Sequence, residues 1–154
     1  MKTTTAIAAL AAAALVSLPA AARDDRLNFP IGAALDKGQS FKEKLDPEIK
    51  LHFAKQKGPV VEKRLGEYTS NKKTNAANKS DQDACDIAFI SAVVSLQQRA
   101  RKEGGNAVVN IRSVYKNDNV ESATEYLCGA GTFMAGVALR GEVVTIKEAP
   151  AKKK

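Results

Sequence analysis

Two cysteines, Cys85 and Cys128, and one histidine, His52, are the side chains of this 154-residue chain best able to hold a metal or change redox state. Two thiolates and an imidazole would supply three ligands of a zinc-type site. Neither cysteine belongs to a C-x-x-C pair, so the usual redox motif is missing. In a small exported domain an even pair is read most simply as a disulfide, Cys85 to Cys128. On that reading no metal and no other cofactor is expected. A metal site built from Cys85, Cys128 and His52 stays open as the alternative. His52 has no marked nucleophile and no orienting acid beside it, so a catalytic triad is not indicated.

The second candidate is the stretch LCGAGTFMAGVALRG, residues 127–141. Gly131 to Gly136 matches the G-x-x-x-x-G half of a phosphate loop. The next residues are Val137 and Ala138, where such a loop needs Lys and then Ser or Thr to reach the terminal phosphates and magnesium. Its uncharged run of about 13 residues is also short of the roughly 20 that a helical span requires. The stretch is therefore read as strand, its glycines permitting a kink and close backbone approach.

The carboxylates Glu43, Asp46, Glu62, Glu67, Asp81, Asp83, Asp86 and Glu103 are scattered. Ser80, Asp83 and Asp86 cluster where a helix begins, and capping accounts for them. Lys72, Lys73 and Lys79 form a basic surface patch. No aromatic residues are interleaved with them, so the patch lacks the stacking platform of a nucleic-acid binder. No catalytic residue is identified, and the protein is expected not to be an enzyme.

The N-terminus bears on where such a protein would work. Lys2, an apolar run from Ala6 to Leu18 and the small residues Ala20 to Ala22 make the three-part pattern of a secretory signal peptide over residues 1–22, cleaved between Ala22 and Arg23. The expected product is periplasmic or secreted, with no transmembrane segment in the mature chain. The formal charge is +7, or +6 once Lys2 is removed. For an exported protein such a balance points to an envelope protein or an anionic surface as partner, rather than nucleic acid.

The elements that must position these groups follow from periodicity. Residues 23–48 read as a polar lead-in, with short helical tendency in FPIGAALDKG and SFKEKL. Ile49, Leu51 and Phe53 alternate with Lys50, His52 and Ala54 as in a half-buried strand. A second strand begins at Val60 and bends or bulges at Gly66. Ser80 opens the main helix with Asp83 in a capping-box position. Phe89, Ala92, Val93, Leu96 and Ala100 form its buried stripe, and Gly104-Gly105 stop it. Residues 106–116 read as a third strand, with Val109, Ile111 and Ser113 on one face. Ala123 to Ile146 can form one bent strand or two that meet at the glycines. The expected organisation is a signal peptide at 1–22, a lead-in at 23–48, one domain at 49–147 and a basic disordered tail at 148–154. The expected fold is α+β, with one main helix packed on a small, mostly antiparallel sheet.

Over residues 60 to 146 the ordered pieces resemble a known group. Leu65-Gly66-Glu67-Tyr68, the long helix, the run Gly105 to Arg112 and the strand Gly136 to Val144 look like the YbjQ-like heavy-metal-binding family. They are also similar to the periplasmic domain of the outer-membrane stress-sensor lipoprotein of the Rcs phosphorelay. The closest likeness is to small exported bacterial proteins often labelled "excinuclease ATPase subunit". The resemblance implies an α+β domain and supplies no catalytic site. An ATPase activity would need the phosphate loop that residues 131–138 do not complete. The sequence thus points to an exported, non-enzymatic binding module of the cell envelope, related to stress response through the resemblance.

Overall fold

Ser80 starts the long helix. Its hydroxyl oxygen accepts the Asp83 backbone N–H at 3.1 Å and its own hydroxyl donates to Asp83 Oδ2 at 2.6 Å. This satisfies one of the N–H groups that a helix leaves without partners in its first turn. Asp81 and Asp83 lie in that turn, and Arg101 and Lys102 in the last. Gly104 ends the helix with φ 77°, a left-handed conformation that costs glycine little. Between these caps Phe89, Ala92, Val93, Leu96 and Ala100 are all buried.

A computed structural model describes residues 23–37, 44–55 and 58–147. The expected signal peptide 1–22 and basic tail 148–154 lie outside the described residues. The elements in chain order are β1 (Asp25–Pro30), α1 (Ile31–Asp36), β2 (Lys50–Phe53), β3 (Val61–Asn75), α2 (Asp81–Glu103), β4 (Ala107–Ser113), β5 (Glu125–Ala130) and β6 (Met134–Ile146). Strand β6 is the spine of the sheet. One of its edges pairs antiparallel with β3 along almost its whole length. The other pairs first with β5, at Gly129–Gly136 and Ala130–Ala135, and then with β4. Strand β1 adds antiparallel to β5, and β2 adds parallel to β4.

This corrects the expected fold of one main helix on a small, mostly antiparallel sheet. Among the described residues 44% are strand and 25% helix, in a curled six-stranded mixed sheet with two helices, one of them short. The strand that local pattern does not announce is β1, and the strand expected from Val60 runs on as a long polar β3 to Asn75. In β1 only Leu27 and Phe29 turn toward the core, and both are half-buried. Strand β3 presents Tyr68, Ser70, Lys72 and Thr74 on its helix-facing side, a pattern with little apolar contrast. The stretch 23–48 therefore supplies β1 and α1, and Ile31 and Ala34 join the main core.

Helix α2 covers one face of the sheet. Phe89, Val93 and Leu96 share a core cluster with Val108, Ile111, Val137, Leu139 and Val143. Phe89 stacks on Tyr126 at 4.1 Å between ring centroids. Each large apolar side chain buried in this way stabilises the fold by about 1.5–3 kcal/mol. On the opposite face Ala107, Val109, Val144 and Ile146 form a smaller cluster. The expected grouping of Val109 with Ile111 is corrected here. Asn110 takes φ 52°, and the β4–β6 register shifts between Val109 and Arg112. This bulge resets the alternation, so Val108 and Ile111 meet the helix and Val109 does not. The bulge expected at Gly66 coincides with a register shift between Arg64 and Gly66.

Candidate functional site

The glycine-rich stretch forms the end of β5, a turn at Gly131–Phe133 and the start of β6. A phosphate cradle needs a loop that runs into a helix, and here strand returns on strand. Cys128, Ala130, Ala135 and Val137 point into the main core. Gly129 and Gly136 are paired with each other, and by strand alternation they leave the opposite face bare.

Tyr115 fills that bare ground. After β4 the chain stays close to the sheet, because the Val114 N–H donates to the Ala138 carbonyl at 2.8 Å. It then folds back through a turn in which the Asp118 N–H donates to the Tyr115 carbonyl at 3.0 Å. The Tyr115 ring comes to rest over the two glycines. A Cβ on Gly129 would lie 2.1 Å from both the ring's Cζ and the phenolic oxygen, and one on Gly136 would lie 3.3 Å from Cε2. No side chain larger than hydrogen fits at 129 while the ring is there.

The Tyr115 hydroxyl donates to Asp24 Oδ1 at 2.9 Å, and the Lys116 ammonium engages the other carboxylate oxygen. The Lys116 contact, then the Tyr115 hydrogen bond, hold the Asp24 carboxyl below its ordinary range. Burial, reinforced by Asp24, pushes the Tyr115 phenol up. Arg23 bridges Asp25 at 2.7 Å and also engages Asp81. Together these residues bound a groove of about 520 Å³, with Tyr115 and the glycines as floor and Arg23, Lys73, Lys116 and Phe133 around it. Phe133 is 72% exposed at the hairpin tip, beside Met134 at 49%.

In chemical terms the groove offers an aromatic plate, an apolar tip and cations. Its two hydroxyls belong to Tyr115, which is committed to Asp24, and Thr132. The imidazole lies elsewhere. His52 lines a small groove of about 120 Å³ with Arg64, Val109 and Asn110. Cys85 and Cys128 are joined as a disulfide in the main core, with no exposed surface. The alternative ligand set Cys85, Cys128 and His52 is therefore not brought together: both sulfurs are in one covalent bond. Among the described residues no group of three or more His, Cys, Asp or Glu is placed to hold a metal ion.

The expected basic patch divides by strand alternation. Lys73 borders the Tyr115 groove. Lys72 points the other way and lines a groove of about 230 Å³ beside Ile90 and Val94 of α2. Lys79 lies in the turn after β3, where Ala76 N–H donates to the Phe133 carbonyl at 2.9 Å, so this turn abuts the hairpin tip.

Asp86 departs from its expected capping role. It faces inward at 4% exposure, accepts the Tyr126 hydroxyl at 2.6 Å and pairs with Lys37 at 2.9 Å. Lys37 also reaches Asp83 at 2.7 Å. Burial first, and Asp86 second, push the Tyr126 phenol far above its ordinary range. This knot ties α1, α2 and β5 together beside the disulfide. Sequence reasoning missed Tyr115, Asp24 and Phe133; the signal available was outward-facing glycines opposite a tyrosine in a turn.

No protein-family model matches the chain, and no curated protein is significantly similar to it in sequence.

Proposed function

We propose that this is an exported, non-enzymatic binding module of the bacterial envelope, acting through the groove floored by Tyr115. The observation that carries this reading is the combination of an aromatic floor, a 72% exposed Phe133 and cations on the rim in one concave surface. Concave sites with an apolar body and a few placed polar groups are the usual form of ligand and partner sites. The groove's charged groups Arg23, Asp24 and Lys116 are paired with one another or with near neighbours, an arrangement suited to holding shape. The Cys85–Cys128 disulfide suits an oxidising compartment. Among the described residues no helix is long and apolar enough to cross a membrane. Placement in the periplasm or outside the cell, and a link to envelope stress through the resemblance to the stress-sensor domain, belong to the same proposal.

The test is photo-crosslinking in living cells of the producing bacterium. A crosslinking residue replaces Thr132 in the groove or, as a remote control, Lys102 at the end of α2. The expected result is a crosslinked envelope protein or lipid from position 132 and none from 102. Equal yields from both positions, or none from either, would overturn the proposal. Intact mass of the exported protein checks cleavage after Ala22.

A further inference from the structure

The hairpin tip narrows what the partner can be. Among the described residues the exposed large apolar side chains are Val60, Phe133 and Met134, and two of the three are consecutive at this tip. Met134 stands opposite Asn75 on β3, Lys73 opposite Gly136, and Lys79 in the turn hydrogen-bonded to the tip. Charges around the tip fall into two groups. Arg23 is matched by Asp25 and Asp81, and Lys116 by Asp24. Lys73 and Lys79 make no ion pair among the described residues. The surface therefore presents an apolar wedge with Lys73 on the paired strand and Lys79 in the adjoining turn, both outside any ion pair among the described residues, while Asp24, Asp25, Asp81 and Asp83 are engaged elsewhere.

We infer that this tip docks on an anionic lipid bilayer, with Phe133 and Met134 entering the headgroup–acyl boundary and Lys73 and Lys79 meeting lipid phosphates. The inference rests on the reading of this face as the contact surface. Two physical arguments favour lipid over a protein partner. Lysine is depleted in the buried centres of protein interfaces, where its mobile stem must be frozen. Beside an anionic membrane the same ammonium stays hydrated and contributes about a fivefold gain in binding. A projecting phenylalanine also needs no preformed socket in a bilayer, because the lipid closes round it.

The experiment uses the exported, disulfide-bonded protein and co-sedimentation with vesicles of phosphatidylcholine alone or mixed with phosphatidylglycerol, at low and high salt. Binding to the anionic vesicles, weakened by salt, is expected, with little binding to phosphatidylcholine. F133S should lower partitioning roughly tenfold or more, and K73Q/K79Q roughly 30-fold. Both sites are on the surface, and unchanged melting temperatures confirm that the variants fold. Lys152 to Lys154 at the C-terminus are present in every variant, so their attraction to lipid cancels in the comparison. The inference falls if anionic vesicles do not bind at low salt, or if binding is insensitive to both variants. If vesicles fail while position 132 crosslinks to an envelope protein, the lipid assignment alone is overturned. If both fail, the contact-surface reading falls with it.

Discussion

Replacing Gly129 with alanine adds one methyl group near the end of β5, where the Tyr115 ring already stands. Its carbon would lie 2.1 Å from two atoms of the Tyr115 side chain. Ordinary non-bonded carbon contacts are about 3.5–4 Å. A shift of a few tenths of an ångström cannot relieve the overlap, so the ring must leave the floor. It would lose its packing over Gly129 and Gly136 and its 2.9 Å hydrogen bond to Asp24. The clashing atoms are the far end of a half-exposed side chain that can swing aside, so the cost is this lost packing and not the overpacking of a closed core. The lost packing and the exposed hydrogen bond together should make G129A less stable by about 1–2 kcal/mol, or lower the melting temperature by about 5 °C.

The sign of the effect should reverse when the ring is removed. Elsewhere in a strand, glycine to alanine is neutral or stabilises by about 0.5–1 kcal/mol, because alanine loses less backbone freedom on folding. In a Y115A background the ring atoms nearest the methyl are gone, and G129A should show that intrinsic gain. Urea or thermal unfolding of the wild type, the two single variants and the double variant, under oxidising conditions, measures the coupling directly. A coupling of about 2 kcal/mol is expected, the loss in wild type plus the gain in Y115A. Additivity within about 0.5 kcal/mol would refute the placement of Tyr115 on the glycine floor.

Y126F removes the hydroxyl that donates to buried Asp86 and should cost about 2 kcal/mol by chemical denaturation. The Tyr126 phenol is shifted up, so its stabilisation is complete below the ordinary phenol value of 10.0 and is lost as pH rises above it. Wild type should therefore lose stability in alkali more steeply than Y126F. The Asp46, Asp81 and Asp83 carboxyls are held down by Arg101, Arg23 and Lys37 respectively, from an ordinary value of 3.8. Their contribution is complete above that value and disappears as pH falls below it, so the urea midpoint should drop on acidification, less so in high salt. The disulfide closes a loop with a sequence separation of 43. C85A/C128A should lower stability by roughly 4 kcal/mol in the chain-entropy model, and a thiol reagent should label the unreduced wild type neither folded nor in denaturant.

The elements read most directly from sequence were those with strong local signals. Ser80 and Gly104 bracket α2 as capping logic requires, and Ile49 and Phe53 join the main core with Leu51 packed against it. What escaped was set by partners far along the chain. Strand β1 exists because β5 offers it an edge: Asp25 to Pro30 pairs with Ala130 to Glu125, and nothing local announces it. Val109 changes face because one residue, Asn110, takes a left-handed conformation and shifts the alternation. Asp86 sits near a helix start, as a cap would, yet its partner Tyr126 is 40 residues away. Lys72 and Lys73 are neighbours in sequence and, by the same two-residue period, border different grooves.

That period also explains how β5 can expose a glycine floor without losing its register. Gly129 contributes no side chain to cross-strand packing, and such a strand is free to slip. Its neighbours face the other way and are fixed with unusual firmness: Cys128 is bonded to α2, Tyr126 stacks on Phe89 and donates to Asp86, and Ala130 lies in the core. A slip by one residue would break the covalent bond and the buried hydrogen bond together. The inner face of β5 therefore supplies the order that its outer face gives up to make room for Tyr115. On this reasoning the disulfide has a second consequence besides global stability. Reduction should loosen the floor before it unfolds the domain, and hydrogen exchange at Gly129 and Gly136 should accelerate in the reduced protein under conditions where the α2 amides from Phe89 to Leu96 stay protected. Equal acceleration at the helix and at the floor would show that the bond stabilises the whole domain with no special hold on the groove.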